Sequence, residues 1–291
     1  MPQNVLSLGI CSWFGFSLPL PERLGMIKKA GFTTVSLWWG DEEYRQDIAK
    51  ADSPGMARDL GLSLDHIHVP YHNCNDLWSE EPRLRQALLG QYQRWLEDCV
   101  QFKIPTMVLH IAKGLAAPAP GADGLAALGR LVQAAEKAEV TIAVENTRGA
   151  ELLETVFTEI VSPRLGLCYD SSHDWLCPRP LEILGKLGSR LVTTHISDND
   201  GLEDRHWLPS AGIVEWLDLS RVFPWDTYQG TILLEVLPRE EDRQMGPGAF
   251  LTKALQDAVW VRGLKDGHTT TESKPDSSRK KWSLRDFFAG R

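Results

Sequence analysis

The chain has 291 residues, 43% of them hydrophobic and 24% charged, the proportions of a soluble globular protein with material for a large core. Its 39 acidic residues outnumber 31 basic ones, and the net charge of −8 argues against a basic nucleic-acid surface, although bound cations would reverse the local field. No apolar run approaches the ~20 residues that span a bilayer, and the first residues lack a basic stretch leading into an apolar one, so the expected compartment is the cytoplasm.

In chain order, strand-like runs rich in β-branched and aliphatic residues fall at 5–13, 33–39, 63–68, 106–110, 141–145, 165–170, 191–195 and 231–235. Segments with helical spacing fall at 20–30, 43–60, 81–103, 122–138, 149–160, 178–188, 213–223 and 247–262. In the third of these, Leu84, Leu88, Tyr92, Trp95 and Cys99 recur at three- and four-residue steps. Gly31, Gly61 and Gly188 stand where left-handed C-caps are expected. Strand and helix alternating eight times predict a (β/α)8 TIM barrel over 1–264. An open doubly wound sheet usually carries a Gly-rich phosphate turn after its first strand, and Gly9-Ile-Cys-Ser-Trp-Phe-Gly15 lacks that spacing. Residues 265–291 read as a polar, flexible C-terminal tail, and its apolar end, Trp282-Ser-Leu-Arg-Asp-Phe-Phe288, suits either docking onto the barrel or a second copy in a homo-oligomer, or fraying in solution.

The last six runs each end in a histidine or an acid: His68, His110, Glu145, Asp170, His195 and Glu235. A buried charge without a partner costs several kcal/mol, so such endings need a shared purpose. In a parallel barrel the C-terminal strand ends face one pocket, and Glu145, Asp170, His195 and Glu235 come from consecutive strands five to eight. Three carboxylates and one imidazole suit a divalent metal, Mn²⁺, Mg²⁺, Co²⁺ or Zn²⁺, with open coordination positions. Taken singly, each residue also suits a helix cap or a salt bridge. His173 lies three residues beyond Asp170, and Asp204 and His206 follow strand seven in a polar loop. His66 and His72 read as solvated. The five cysteines show no Cys-x-x-Cys spacing, so no disulfide or zinc-ribbon framework is expected, and Cys11, Cys99 and Cys168 read as buried thiols.

Residues 5–262 resemble the xylose isomerase-like barrel superfamily in Ile142-Ala-Val-Glu-Asn146, Cys168-Tyr-Asp-Ser-Ser-His173, Thr194-His-Ile-Ser-Asp-Asn199, Asp204-Arg-His206 with Gly212-Ile-Val-Glu-Trp216, and Leu233-Leu-Glu-Val236. That superfamily holds sugar (phosphate) isomerases and epimerases as well as DNA-repair enzymes of the endonuclease IV type. The epimerase resemblance implies one metal on Glu145, Asp170, His195 and Glu235, with Glu145 and Glu235 as the acid–base pair and His173 at a substrate oxygen. The endonuclease resemblance implies up to three zinc ions. His68, His110 and Glu145 would hold the first, Glu145 with Asp170, His195 and Glu235 the second, and His173, Asp204 and His206 the third.

Two features lean towards a small carbohydrate. Trp13, Trp38, Trp39, Trp78, Trp175 and Trp207 fall at or near strand ends, where flat faces suit a sugar, and the phrase from Trp38 to Glu42 looks like the sugar isomerase branch. Of these, Trp13 and Trp39, with Arg205, are the expected substrate contacts. Lys113, Arg148 and Arg205 are isolated in the sequence, whereas DNA affinity draws on many phosphate contacts.

Overall fold

The computed structural model describes residues 5–40, 49–113, 119–147 and 149–267. Arg148, the start of the second expected helix, the end of the Trp38 to Glu42 phrase and the tail from 268 onward lie outside the described residues.

Eight parallel strands form one sheet in the order β7-β6-β5-β4-β3-β2-β1-β8. They are β1 (Ser7–Cys11), β2 (Thr34–Trp38), β3 (Ser63–His68), β4 (Thr106–Leu109), β5 (Thr141–Glu145), β6 (Leu165–Asp170), β7 (Leu191–His195) and β8 (Thr231–Leu234). The seam between β7 and β8 closes through a parallel bridge between Ile196 and Leu234. There the Thr194 side chain stands in for backbone, its hydroxyl donating to Thr231 O at 3.1 Å and accepting from Leu233 N at 3.0 Å. The fold is the expected (β/α)8 TIM barrel.

Around the strands run α1 (Leu20–Ala30), α2 (Ser53–Asp59), α3 (Pro82–Gln101), α4 (Ala122–Lys137), α5 (Ala150–Glu159), α6 (Ser171–Trp175), α7 (Glu182–Leu187), α8 (Trp216–Val222), α9 (Glu240–Gln244) and α10 (Pro247–Gly263). The short helices α6 and α9 were not legible as separate elements. In α3 the apolar stripe buries Leu88, Tyr92, Trp95 and Cys99, while Leu84 is exposed in the first turn. Gly31 and Gly61 take the expected left-handed backbone. Gly188 does not; its φ of −56° continues α7 into a 3-10 turn. All five cysteines are free, and Cys74 joins Cys11, Cys99 and Cys168 as buried. Among the described residues no helix is long and apolar enough to cross a membrane.

Two local features decide which side chains enter the barrel. On β2, Ser36 donates to Cys11 Sγ on β1 at 3.1 Å, so Ser36 and Trp38 share the interior face and Trp39 turns outward. Between β2 and β3 the register steps from Val35↔Leu64 to Leu37↔Ile67. Ser36 of β2 therefore opposes two residues of β3, Asp65 and His66, and this bulge carries both of them inward.

Candidate metal centre

The centre is built around Glu145, buried at the end of β5. Its Oε2 lies 3.1 Å from His68 Nε2 at the end of β3 and 3.1 Å from His110 Nε2 just past β4. The same oxygen is 3.2 Å from His195 Nδ1, and Oε1 is 3.1 Å from His173 Nδ1. Glu235, just past β8, sets Oε2 2.8 Å from His195 Nδ1. One carboxylate thus gathers four imidazoles, three from the ends of β3, β4 and β7 and one from α6.

Asp170 shows how a cap and a metal donor are compatible. Its Oδ1 accepts from His173 N at 2.8 Å and caps α6, while Oδ2 is buried without a hydrogen-bond partner. The α6 turn brings His173 back over the site, where Nε2 lies 2.9 Å from Asp204 Oδ2. His206 Nε2 reaches the same oxygen at 2.9 Å, and Ser172 Oγ donates to Asp204 Oδ1 at 2.9 Å. The loop bearing Asp204 and His206 hangs on buried Asp198, whose Oδ1 accepts from Asn199 N and Val214 N and whose Oδ2 accepts from Trp216 Nε1. His206 itself has φ of 50°, a left-handed backbone uncommon for residues other than glycine and often found at functional sites.

Among the described residues five groups bring their ligand atoms within 4.8 Å of one another. Three are the expected sets: His68, His110 and Glu145; Glu145, Asp170, His195 and Glu235; and His173, Asp204 and His206. The other two add a thiol, Cys11 with His195 and Glu235 and Cys168 with Glu145 and His195. Buried polar atoms lacking a hydrogen-bond partner concentrate in the same groups: Glu145 Oε1, Asp170 Oδ2, His173 Nδ1, His195 Nδ1 and His206 Nδ1. Several of these atoms lie close together yet outside hydrogen-bond geometry, as donors aimed at a shared point would be. His68 gives a second indication. Its Nδ1 lies 3.0 Å from Val69 O, and a carbonyl only accepts, so a neutral His68 turns a bare Nε2 towards the Glu145 oxygen. Two lone pairs facing each other need a cation or a proton between them. The residues present fit divalent metal.

Without metal, protons fill that role. Burial would raise the Glu145 carboxyl, but His195, His110 and His173 overcome it and hold it well below the usual range. Against the opposing effect of burial, Glu235 is held low by His195, and Asp204 by His173 and His206. His173 and His195 are raised well above an ordinary imidazole despite burial, through Asp170 for the first and through Cys168, Glu235 and Glu145 for the second. His206 rises to about 9, the Asp204 contact outweighing burial, and burial lifts Asp170 to about 7. Burial also lowers His110.

The substrate expectations fare unevenly. Trp39 faces away from the centre: it is buried under α3, where Nε1 donates to Asp98 Oδ2 at 2.7 Å. Its neighbour Trp38 lies over the centre instead, 5.5 Å from the His68 ring and 5.9 Å from Tyr71. Trp13 is half-buried with the Arg23 guanidinium 5.2 Å above its ring. Arg205 pairs within its own loop with Asp200 at 2.9 Å and Glu203 at 2.8 Å. Trp78 is buried and donates to Ile111 O. Sequence reasoning missed Tyr71, stacked on His110 at 4.4 Å, and it misplaced His66. His66 is fully buried, not solvated, with Asp65 at 2.8 Å on one side and His195 at 3.0 Å on the other. No alternation in the run betrayed the bulge that turns both Asp65 and His66 inward.

A family model described as the xylose isomerase-like TIM barrel matches residues 24–254. The chain belongs to that family. Among relatives of this xylose isomerase-like barrel, an uncharacterized protein y4fM of Sinorhizobium fredii is 34% identical over 107 residues, 36% of this chain and 34% of the relative. The uncharacterized protein MJ1311 of Methanocaldococcus jannaschii is 27% identical over 194 residues, 58% of this chain and 63% of the relative. The matches thus span about a third and somewhat under two thirds of those relatives' lengths. Solved structures with the same fold include D-psicose 3-epimerase from Clostridium cellulolyticum H10, with a TM-score of 0.71, 14% identity and coverage of 89% of this chain and 99% of that one. An L-ribulose 3-epimerase superposes with a TM-score of 0.69, 16% identity and coverage of 93% and 100%.

Proposed function

We propose that this barrel is a divalent-metal-dependent isomerase or epimerase of a small carbohydrate, a sugar, ketose or sugar phosphate. The observation that carries the reading is the pair Glu145 and Glu235, which stand on either side of Asp170 and His195. Glu145 is closed in by imidazoles, whereas the Glu235 side chain is 26% exposed and meets His195 through Oε2. The 3-epimerases named among the structural neighbours act on substrates of this class.

A bound divalent ion would supply Lewis-acid polarisation of a substrate carbonyl. Glu235 takes the proton from the adjacent carbon, and Glu145 serves the other side, so that removal on one face and return on the other inverts the centre through an enediolate. A proton carried between neighbouring carbons on one face gives isomerisation instead. His173 and His206 offer N–H groups to substrate hydroxyls or a developing oxyanion. Trp38 and Tyr71 supply flat faces at the mouth. The paired state of Arg205 and of Arg239, which meets Glu241 and Asp242 at 2.8 and 2.9 Å, supports a small substrate over a polyanion.

A second reading, a three-zinc phosphodiesterase acting on abasic DNA, is favoured by one observation: the outer donor sets, His68 with His110 and His173 with Asp204 and His206, are both complete. Elemental analysis after metal loading, paired with two assays, separates the readings. The isomerase reading expects solvent deuterium to enter a ketose or ketose phosphate, with loss of exchange in Glu235→Gln. Three ions per chain, cleavage of an abasic duplex and no exchange with any carbohydrate overturn it in favour of the second.

A further inference from the structure

We propose that His66, oriented by Asp65, is a positioning residue that fixes His195 with its Nδ1 bare towards the donor cluster; the inference rests on the metal reading above. The order of protons follows from the contacts. Asp65 Oδ1 lies 2.8 Å from His66 Nδ1 and accepts the Thr193 hydroxyl at 2.6 Å. A carboxylate only accepts, so His66 carries its proton on Nδ1, and as a neutral imidazole it leaves Nε2 bare. His66 Nε2 and His195 Nε2 are 3.0 Å apart. One proton must lie between them, and His66 has none to give, so His195 donates from Nε2. A neutral His195, the form that binds metal, therefore keeps its lone pair on Nδ1, the atom 2.8 Å from Glu235 Oε2 and 3.2 Å from Glu145 Oε2; without metal the same atom takes the extra proton. The other neutral tautomer would point an N–H at the donor cluster and leave no lone pair there for a metal.

Metal-bound histidines ordinarily lean on a carboxylate or carbonyl directly. Here a second imidazole extends that support across the barrel, from β3 to β7. The bulge at Asp65 and His66 is the device that makes this reach, because it turns consecutive residues to one side. Both histidines are fully buried, so no water competes for the contact.

The test compares His66→Leu with His66→Gln by Co²⁺ affinity, measured by chelator competition, and by the visible absorption of the bound ion. Glutamine preserves the sequence of groups, an acceptor towards His195 and a donor towards Asp65, while leucine preserves only bulk. Loss of a supporting partner of a metal ligand ordinarily costs about 10–100-fold in affinity, and that loss is expected for leucine, with a shifted spectrum and substantial recovery in glutamine. A packing role alone predicts the reverse order, since a buried site tolerates leucine better than an amide. In the wild-type Zn²⁺ protein labelled with ¹⁵N-histidine, a slowly exchanging proton on His195 Nε2, coupled to a second histidine nitrogen, is expected. Equal Co²⁺ affinity and spectrum in wild type and His66→Leu, or the absence of that proton, overturns the proposal. A wild-type protein that takes up no Co²⁺ overturns the metal reading itself, and this proposal with it.

Discussion

His68 and His110 meet the same oxygen: each places Nε2 3.1 Å from Glu145 Oε2, from opposite sides of the β3–β4 boundary. With His195 and His173 on the remaining approaches, Glu145 belongs both to the set with His68 and His110 and to the set with Asp170, His195 and Glu235. Glu145→Gln is therefore expected to weaken metal binding more than any other single amide substitution in the cluster, measured by chelator competition. An affinity equal to that of wild type would remove Glu145 from the centre.

Glu235→Gln separates chemistry from assembly. The change keeps size and leaves Glu145, Asp170 and His195 in place, so the fold should persist by circular dichroism. General acid–base groups contribute about 10²–10⁴ in rate, and a fall of that order in kcat for proton exchange is expected. Full turnover in the variant contradicts the assigned role.

The protonated cluster gives the metal-free protein an unusual pH dependence. His206 is raised from 6.5 to about 9, so its contribution is complete below pH 6.5 and is lost as pH rises through about 9. Asp170, raised from 3.8 to about 7, acts with the same sign at lower pH, since folding favours its protonated form. Glu145, Glu235 and Asp204 act in the opposite sense, but only below the normal carboxylate range, because their pKa values are depressed. The Tm of metal-free protein should fall between pH 7 and pH 9, while metal affinity rises as ligands release protons. A metal-free Tm that is flat or rising over this interval contradicts the protonation described.

The adjacent tryptophans should behave differently. Trp39→Ala empties a buried site beneath α3 and should destabilise by about 3–5 kcal/mol in denaturant unfolding with metal affinity intact. Trp38→Ala should leave stability nearly unchanged and raise KM for a carbohydrate substrate. The reverse assignment of effects would place the wrong indole at the mouth.

Asp198 carries the loop of Asp204 and His206 without belonging to the donor sets. Asp198→Ala leaves the backbone N–H groups of Asn199 and Val214 and the Trp216 indole without their acceptor. It should lower uptake by the His173, Asp204 and His206 set in elemental analysis while sparing the set that includes His195. Unchanged uptake at every stoichiometry would show that the loop holds its shape by other contacts.

The sequence by itself determined the barrel and marked the acids and imidazoles that converge at one rim. Eight short apolar runs separated by helical periodicity leave a closed parallel sheet as the natural architecture, and charge at six strand ends marks one rim because every strand points the same way. It did not determine which of two neighbouring residues faces inward. Strands buried on both faces carry no polar alternation, so Trp38 and Trp39 look equivalent until the sheet fixes the parity of β2. Nor could it reveal the β3 bulge, since an extra residue in a parallel ladder leaves no mark on local composition. Only the pairing of β2 with β3 turned Asp65 and His66 into the barrel, and only closure of the sheet brought His66 across to His195, because contact between residues 129 positions apart is a property of the packed chain.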